Sequence, residues 1–106
     1  MTTPADELRA AADKIRVLAT TATDGPWRQS GIGDQGWTVD TPHAFVAETE
    51  DSEKGRADAD WIAGMHPGVG GTLADWLDET ARNAEPFGVI NARALAVARA
   101  ILGGQP

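Results

Sequence analysis

His43 and His66 are the only imidazoles in this 106-residue chain. With sixteen aspartates and glutamates, they are its stock for proton transfer or metal ligation. His43 falls in an expected turn and His66 at an expected helix end, where a dipole alone accounts for a basic side chain. The chain has no cysteine, so thiolate metal sites, thiol nucleophiles and disulfides are excluded. Ser30 and Ser52 both fall in expected loops, outside any strand-turn-helix nucleophile setting. The expectation is a protein that is not an enzyme, with no cofactor and no metal site.

His66 to Thr72, HPGVGGT, invites a second kind of chemistry. Glycines, a hydroxyl and a following helix N-terminus attract anions. A phosphate loop proper carries a lysine and follows a strand; this stretch has no lysine and follows an expected helix, so a helix-helix corner is the simpler reading. The small-ligand or nucleotide-binding alternative would use His66, Gly68, Gly70, Gly71 and Thr72, with Trp27 and Trp37 as walls. Against that, a small domain employs tryptophans as bulky core anchors. Trp61 and Trp76 are assigned to the core on this ground.

Asp51 to Asp60 holds enough carboxylates for calcium, yet Gly55 and Arg56 break the required register and Lys54 opposes a cation. The charge itself is uneven. Residues 34–60 carry eight acids against Lys54 and Arg56, nearly all of the chain's net −7. One reading is a solvated loop that favours solubility; the sharper one is an acidic patch, Glu48, Glu50, Asp51 and Glu53, that meets a basic protein partner. Contact with a nucleic-acid backbone is disfavoured, since no basic stripe exists to displace counterions. A homo-oligomer stays open.

Several elements must position these residues. Thr3 and Pro4 open a helix as N-cap and first residue, with Asp6 and Glu7 in its first turn. Leu8, Ala11, Ala12, Ile15, Leu18, Ala19 and Ala22 form its apolar face. Past Asp24-Gly25-Pro26 the period changes. Trp37 and Val39 alternate with Thr38 and Asp40, and Ala44 to Thr49 is rich in strand formers. A turn at Thr41-Pro42-His43 joins these runs, and Trp27 to Ser30 offers a third strand, with a glycine-rich turn at 31–36. Phe45/Ala47 and Ala44/Val46 are all apolar, which predicts cover on both faces of the last strand. A charged loop, Asp51 to Arg56, leads to a helix whose stripe Ala57, Trp61 and Met65, with Ile62 beside it, is expected to face inward.

Pro67 ends that helix. The next starts between 67 and 72, with its glycines arguing for a later start and Thr72/Asp75 resembling a capping box. Its face is Leu73, Trp76, Leu77, Thr80, Ala81 and Ala84. After a connector at 83–88, Ile90, Ala94, Val97, Ala98 and Ile101 recur at helical spacing, and Gly103-Gly104 stops the helix. The expected fold class is α+β: an N-terminal helix, a small two- or three-stranded antiparallel sheet, then three helices, in one domain over 1–106. An early acidic N-terminus without a long apolar run predicts neither a signal peptide nor a membrane span, so the cytoplasm is the expected compartment.

Two strings carry a resemblance. Ala22 to Trp27, ATDGPW, resembles the ATPGPW string that follows the first helix in small phage and actinobacterial proteins, with Asp24 where that string has proline. Ala57 to Pro67, ADADWIAGMHP, resembles the NAxFIAxxxP string of the same proteins, which include the Ead-type phage accessory family. MHPGVG followed by LADWLD is also similar to Streptomyces-type hypothetical proteins. The likeness spans roughly residues 5 to 82 and leaves out the last helix. It implies a phage-derived or accessory protein and carries over no catalytic residue. Residues and resemblance together lead to a non-enzymatic interaction or regulatory protein with an acidic surface.

Overall fold

The computed structural model describes residues 2–84 and 90–103. The element order is α1 (Pro4–Thr21), β1 (Arg28–Ile32), β2 (Gly36–Asp40), β3 (Phe45–Glu50), α2 (Glu53–Gly64), α3 (Pro67–Ala84) and α4 (Ala92–Leu102). This is the expected α+β order, with three strands. The chain gathers into two compact units: Met1–Leu18 with Gly70–Pro106, and Ala19–Val69.

The first unit is helical. Its buried centre is Leu8, Ala11 and Ala12 of α1, Ala74, Leu77 and Ala81 of α3, and Ala94 and Ala98 of α4, with Ile15, Leu73, Ile90, Val97 and Ile101 packed around them. Six of these eight buried residues are alanine, so the helices meet through short side chains and their axes can approach closely. Leu8 and Leu77 are the large side chains locked inside. The ends of the helices are set locally. Thr3 N–H donates to Asp6 Oδ2 at 3.1 Å, and Asp6 N–H donates to Thr3 Oγ1 at 3.1 Å, a reciprocal capping box at the start of α1. Asn91 Oδ1 accepts from the N–H groups of Arg93 and Ala94 at the start of α4. That helix ends at Gly103, which is left-handed with φ 78°. Polar ties cross the unit: Arg16 reaches Asp75 at 2.8 Å and Asp78 at 2.5 Å, and Arg99 reaches Glu7 at 3.2 Å. Asp75, then Asp78, raises the pKa of Arg16 and keeps its charge fixed.

The second unit is an antiparallel sheet in the order β1-β2-β3, with α2 across one face. Register places Trp37 opposite Thr49, Val39 opposite Ala47, and Gln29 opposite Val39. These residues face the helix: Thr49 Oγ1 donates to the Gly55 carbonyl at 2.5 Å, and Gln29 Nε2 donates to Asp60 Oδ1 at 3.2 Å. Pairing slips at two places, between Gln29 and Ile32, where Gly31 adopts φ 92°, and between Val39 and Asp40. Thr41 closes the β2–β3 turn by accepting through Oγ1 from the N–H groups of His43 and Ala44, as the Thr-Pro-His signal predicts.

Several expectations are corrected. Helix α2 begins at Glu53 rather than after a loop ending at Arg56, because Ser52 Oγ accepts from Gly55 N–H and caps it. Helix α3 starts at Pro67, the early limit of the expected 67–72 range, so the expected corner at Gly68 to Thr72 is its first two turns, and Thr72 lies inside the helix rather than at its N-cap. Phe45 is 65% exposed, so β3 is not covered on both faces. Leu18 and Trp76 leave the apolar faces assigned to them and are exposed. Most of the connector expected at 83–88 lies outside the described residues; Asn83 and Ala84 close α3.

The largest correction is the orientation of α2. Trp61 is 71% exposed and Met65 46%, so the Ala57, Trp61, Met65 stripe faces outward. The buried side carries Gly55 and Ala59 instead. Small residues there let the helix lie close on the sheet: a Cβ at Gly55 would overlap the Glu50 carbonyl. Burying an indole on that side would hold the two apart.

Candidate functional site

The acidic segment falls where β3 hands over to α2. Strand alternation puts Glu48 and Glu50 on the sheet face turned away from α2, opposite Thr38 and Gly36. Glu48 is half-buried and accepts from Gln35 N–H through Oε1 at 3.3 Å, so it steadies the β1–β2 turn. Glu50, Asp51 and Glu53 are exposed. They follow one another through the β3–α2 corner, where Ser52 N–H donates to the Glu50 carbonyl at 2.9 Å. Of the four acids singled out from the sequence, three therefore form one open edge and Glu48 serves the hairpin.

Charge divides sharply between the two units. Residues 19–69 hold nine acids against Arg28, Lys54 and Arg56, a balance of −6 out of the chain's −7. The ion pairs of the described residues lie in the other unit: Arg9–Asp6, Arg16–Asp13, Arg16–Asp75, Arg16–Asp78 and Arg99–Glu7. In the sheet unit, Arg56 is occupied elsewhere, with its guanidinium carbon 5.1 Å from the centroid of the Trp37 ring. The negative side chains of the corner are thus left to solvent.

Beside that corner rises the outward face of α2. Trp61 and Met65 stand one turn apart, Ala57 lies a turn earlier, and Asp58 flanks Trp61 at i−3. Exposed Gly64 lies at i+3 from Trp61, with open space where a side chain would project. Reading from sequence alone missed this face, because a bulky tryptophan reads as a core anchor ahead of a small alanine. The signal was nonetheless present: Gly55, Ala59 and Ala63 recur at i, i+4 and i+8 and mark the side that can lie against a sheet.

The residues of the ligand-binding alternative do not form a loop. His66 is half-buried and caps α3: its Nδ1 accepts from Gly68 N–H at 3.1 Å, and its carbonyl accepts from Val69 N–H at 3.0 Å. Its role is at the start of the following helix, not at the C-terminal dipole of α2. Gly68 hugs the His66 ring, since a Cβ there would stand 2.8 Å from Cε1. Gly70, Gly71 and Thr72 continue the helix, so their backbone groups serve the helical ladder rather than an anion cradle. Trp27 is half-buried with Nε1 donating to the Thr23 carbonyl at 2.8 Å. Trp37 is half-buried, and its buried Nε1 has no hydrogen-bond partner among the described residues.

His43 sits exposed in the β2–β3 turn. Among the described residues no group of three or more His, Cys, Asp or Glu is placed to hold a metal ion, and no helix is long and apolar enough to cross a membrane. Set against protein-family models, curated proteins and solved structures, the chain has no significant match.

Proposed function

We propose that this protein is a non-enzymatic interaction protein that engages a basic protein partner through its acidic sheet unit, in an accessory role of the phage-derived kind that its ATDGPW and ADADWIAGMHP strings imply. The observation that carries the reading is the segregation of charge. A balance of −6 is concentrated in residues 19–69, where no ion pair among the described residues engages Glu50, Asp51 or Glu53. Uncompensated charge of one sign speeds encounter with an opposite surface, and salt screens it over about 8 Å at physiological strength.

The test is capture from native lysate by wild-type protein and by the triple variant Glu50→Gln, Asp51→Asn, Glu53→Gln, each at low and high salt. The expected result is a basic protein retained by wild type at low salt, released as salt rises, and lost from the triple variant. Retention of the same proteins by both forms at both salt concentrations would contradict the reading.

A further inference from the structure

The geometry points to the outward face of α2 as the apolar anchor of that interaction, and to a cationic amphipathic helix as its occupant. The inference rests on the acidic-interaction reading above and specifies its contact surface. Trp61, at 71% exposure, projects from the last turn of α2, and Met65, at 46%, is the residue that caps its C-terminal end. Exposed Ala57 extends the same line by a turn, and exposed Gly64 leaves open space beside the indole. The result is a knob with a flat margin, suited to the apolar stripe of a helix laid along it. Tryptophan is enriched among binding hot spots, and methionine among interface residues.

The charge around the knob selects the partner's sign. Asp58 and Asp60 stand on α2 itself, the latter accepting from Gln29 Nε2, Glu53 opens it, and Asp51 precedes it. Of the two bases of α2, Lys54 lies on the Trp61 side, seven residues earlier, and Arg56 stands over Trp37. An approaching helix with lysine or arginine beside its apolar stripe finds acids along the rim; one with glutamates there meets repulsion. The same acids oppose an anionic lipid surface, so a protein segment fits better than a membrane.

Two synthetic peptides test this: a leucine-striped amphipathic helix with lysine at its polar positions, and the same peptide with glutamate replacing lysine. Each is titrated into isotope-labelled protein while the four indole N–H signals and the α2 amides are followed. The lysine peptide is expected to shift the Trp61 indole and the amides of residues 57–65, more strongly at low salt, and the glutamate peptide to leave them in place. Trp61→Ala should weaken binding about tenfold or more, the loss typical of a central anchor. Gly64→Arg should do the same by filling the open margin with a like charge, and circular dichroism of both variants should match wild type.

Should the lysine peptide bind both variants as tightly as wild type, yet bind the triple corner variant weakly, the α2 anchor is wrong and the acidic reading survives. Equal binding of both peptides, lost in Trp61→Ala, would keep the anchor and overturn the cationic occupant together with the acidic reading. Binding of neither peptide overturns the inference. So does a dimer that Trp61→Ala dissociates, which would give the face to a second copy of the chain.

Discussion

The guanidinium of Arg56 stands over the Trp37 ring, 5.1 Å from carbon to centroid, and so ties the first turns of α2 to the central strand. Cation–π contacts of this kind contribute about 0.5–2 kcal/mol according to exposure. Arg56→Ala should lower the stability of the sheet unit by about 1 kcal/mol in urea unfolding, part of it through lost cover from the arginine stem. Arg56→Met, which keeps the stem and removes the charge, should recover some of that loss. Equal stability of Arg56→Ala and wild type would show that the pairing contributes nothing.

Two glycines of α2 should respond in opposite directions. At Gly55 a Cβ would overlap the Glu50 carbonyl, so Gly55→Ala forces backbone apart from backbone. Overpacking of this sort costs about 1–3 kcal/mol. At Gly64 a Cβ meets open space, and alanine should stabilise by about 0.5–1 kcal/mol through helix propensity and reduced unfolded-state freedom. Thermal melts of the two variants check the pair; a Gly55→Ala protein as stable as Gly64→Ala would mean that α2 does not lie close on β3.

The contrast between these glycines shows which parts of the fold were legible in the sequence. Thr3-Pro4, Thr41-Pro42-His43 and Gly103 act on their immediate neighbours, so the start of α1, the β2–β3 turn and the end of α4 could all be read locally. The start of α2 was also written locally, in Ser52, but the run of charges from Asp51 to Arg56 reads as a loop. Gly55 is a requirement of contact with Glu50, a tertiary fact that local propensity does not carry. The same holds for Gly68 beside the His66 ring. For the candidate site, the acids of the β3–α2 corner were legible as charge. The exposure of Trp61 was not, because a helical period gives a face without saying which way it points.

Low pH should unlatch the start of α1. The Thr3 backbone N–H, then the Thr3 side chain, and at longer range the charge of Arg9, hold the Asp6 carboxyl below its ordinary 3.8. A carboxyl depressed in the folded state adds stability above its unfolded value, and that contribution disappears as pH falls below about 3.8 through the lowered folded pKa. Asp6→Asn should therefore flatten the pH dependence of stability in that acid range and leave the neutral range with a small constant loss. The direct check is the Asp6 side-chain carbon shift against pH. A midpoint at or above 3.8 would contradict the capping box.

The outward placement of Trp61 underlies the α2 anchor of the interaction account, and urea unfolding of Trp61→Ala tests it most directly. A side chain at 71% exposure has little burial to lose, so the unfolding midpoint and slope should stay near wild type, within the roughly 0.5 kcal/mol usual for surface substitutions. A loss of about 3–5 kcal/mol, the cost of emptying a buried tryptophan site, would place the indole in the core and contradict the account.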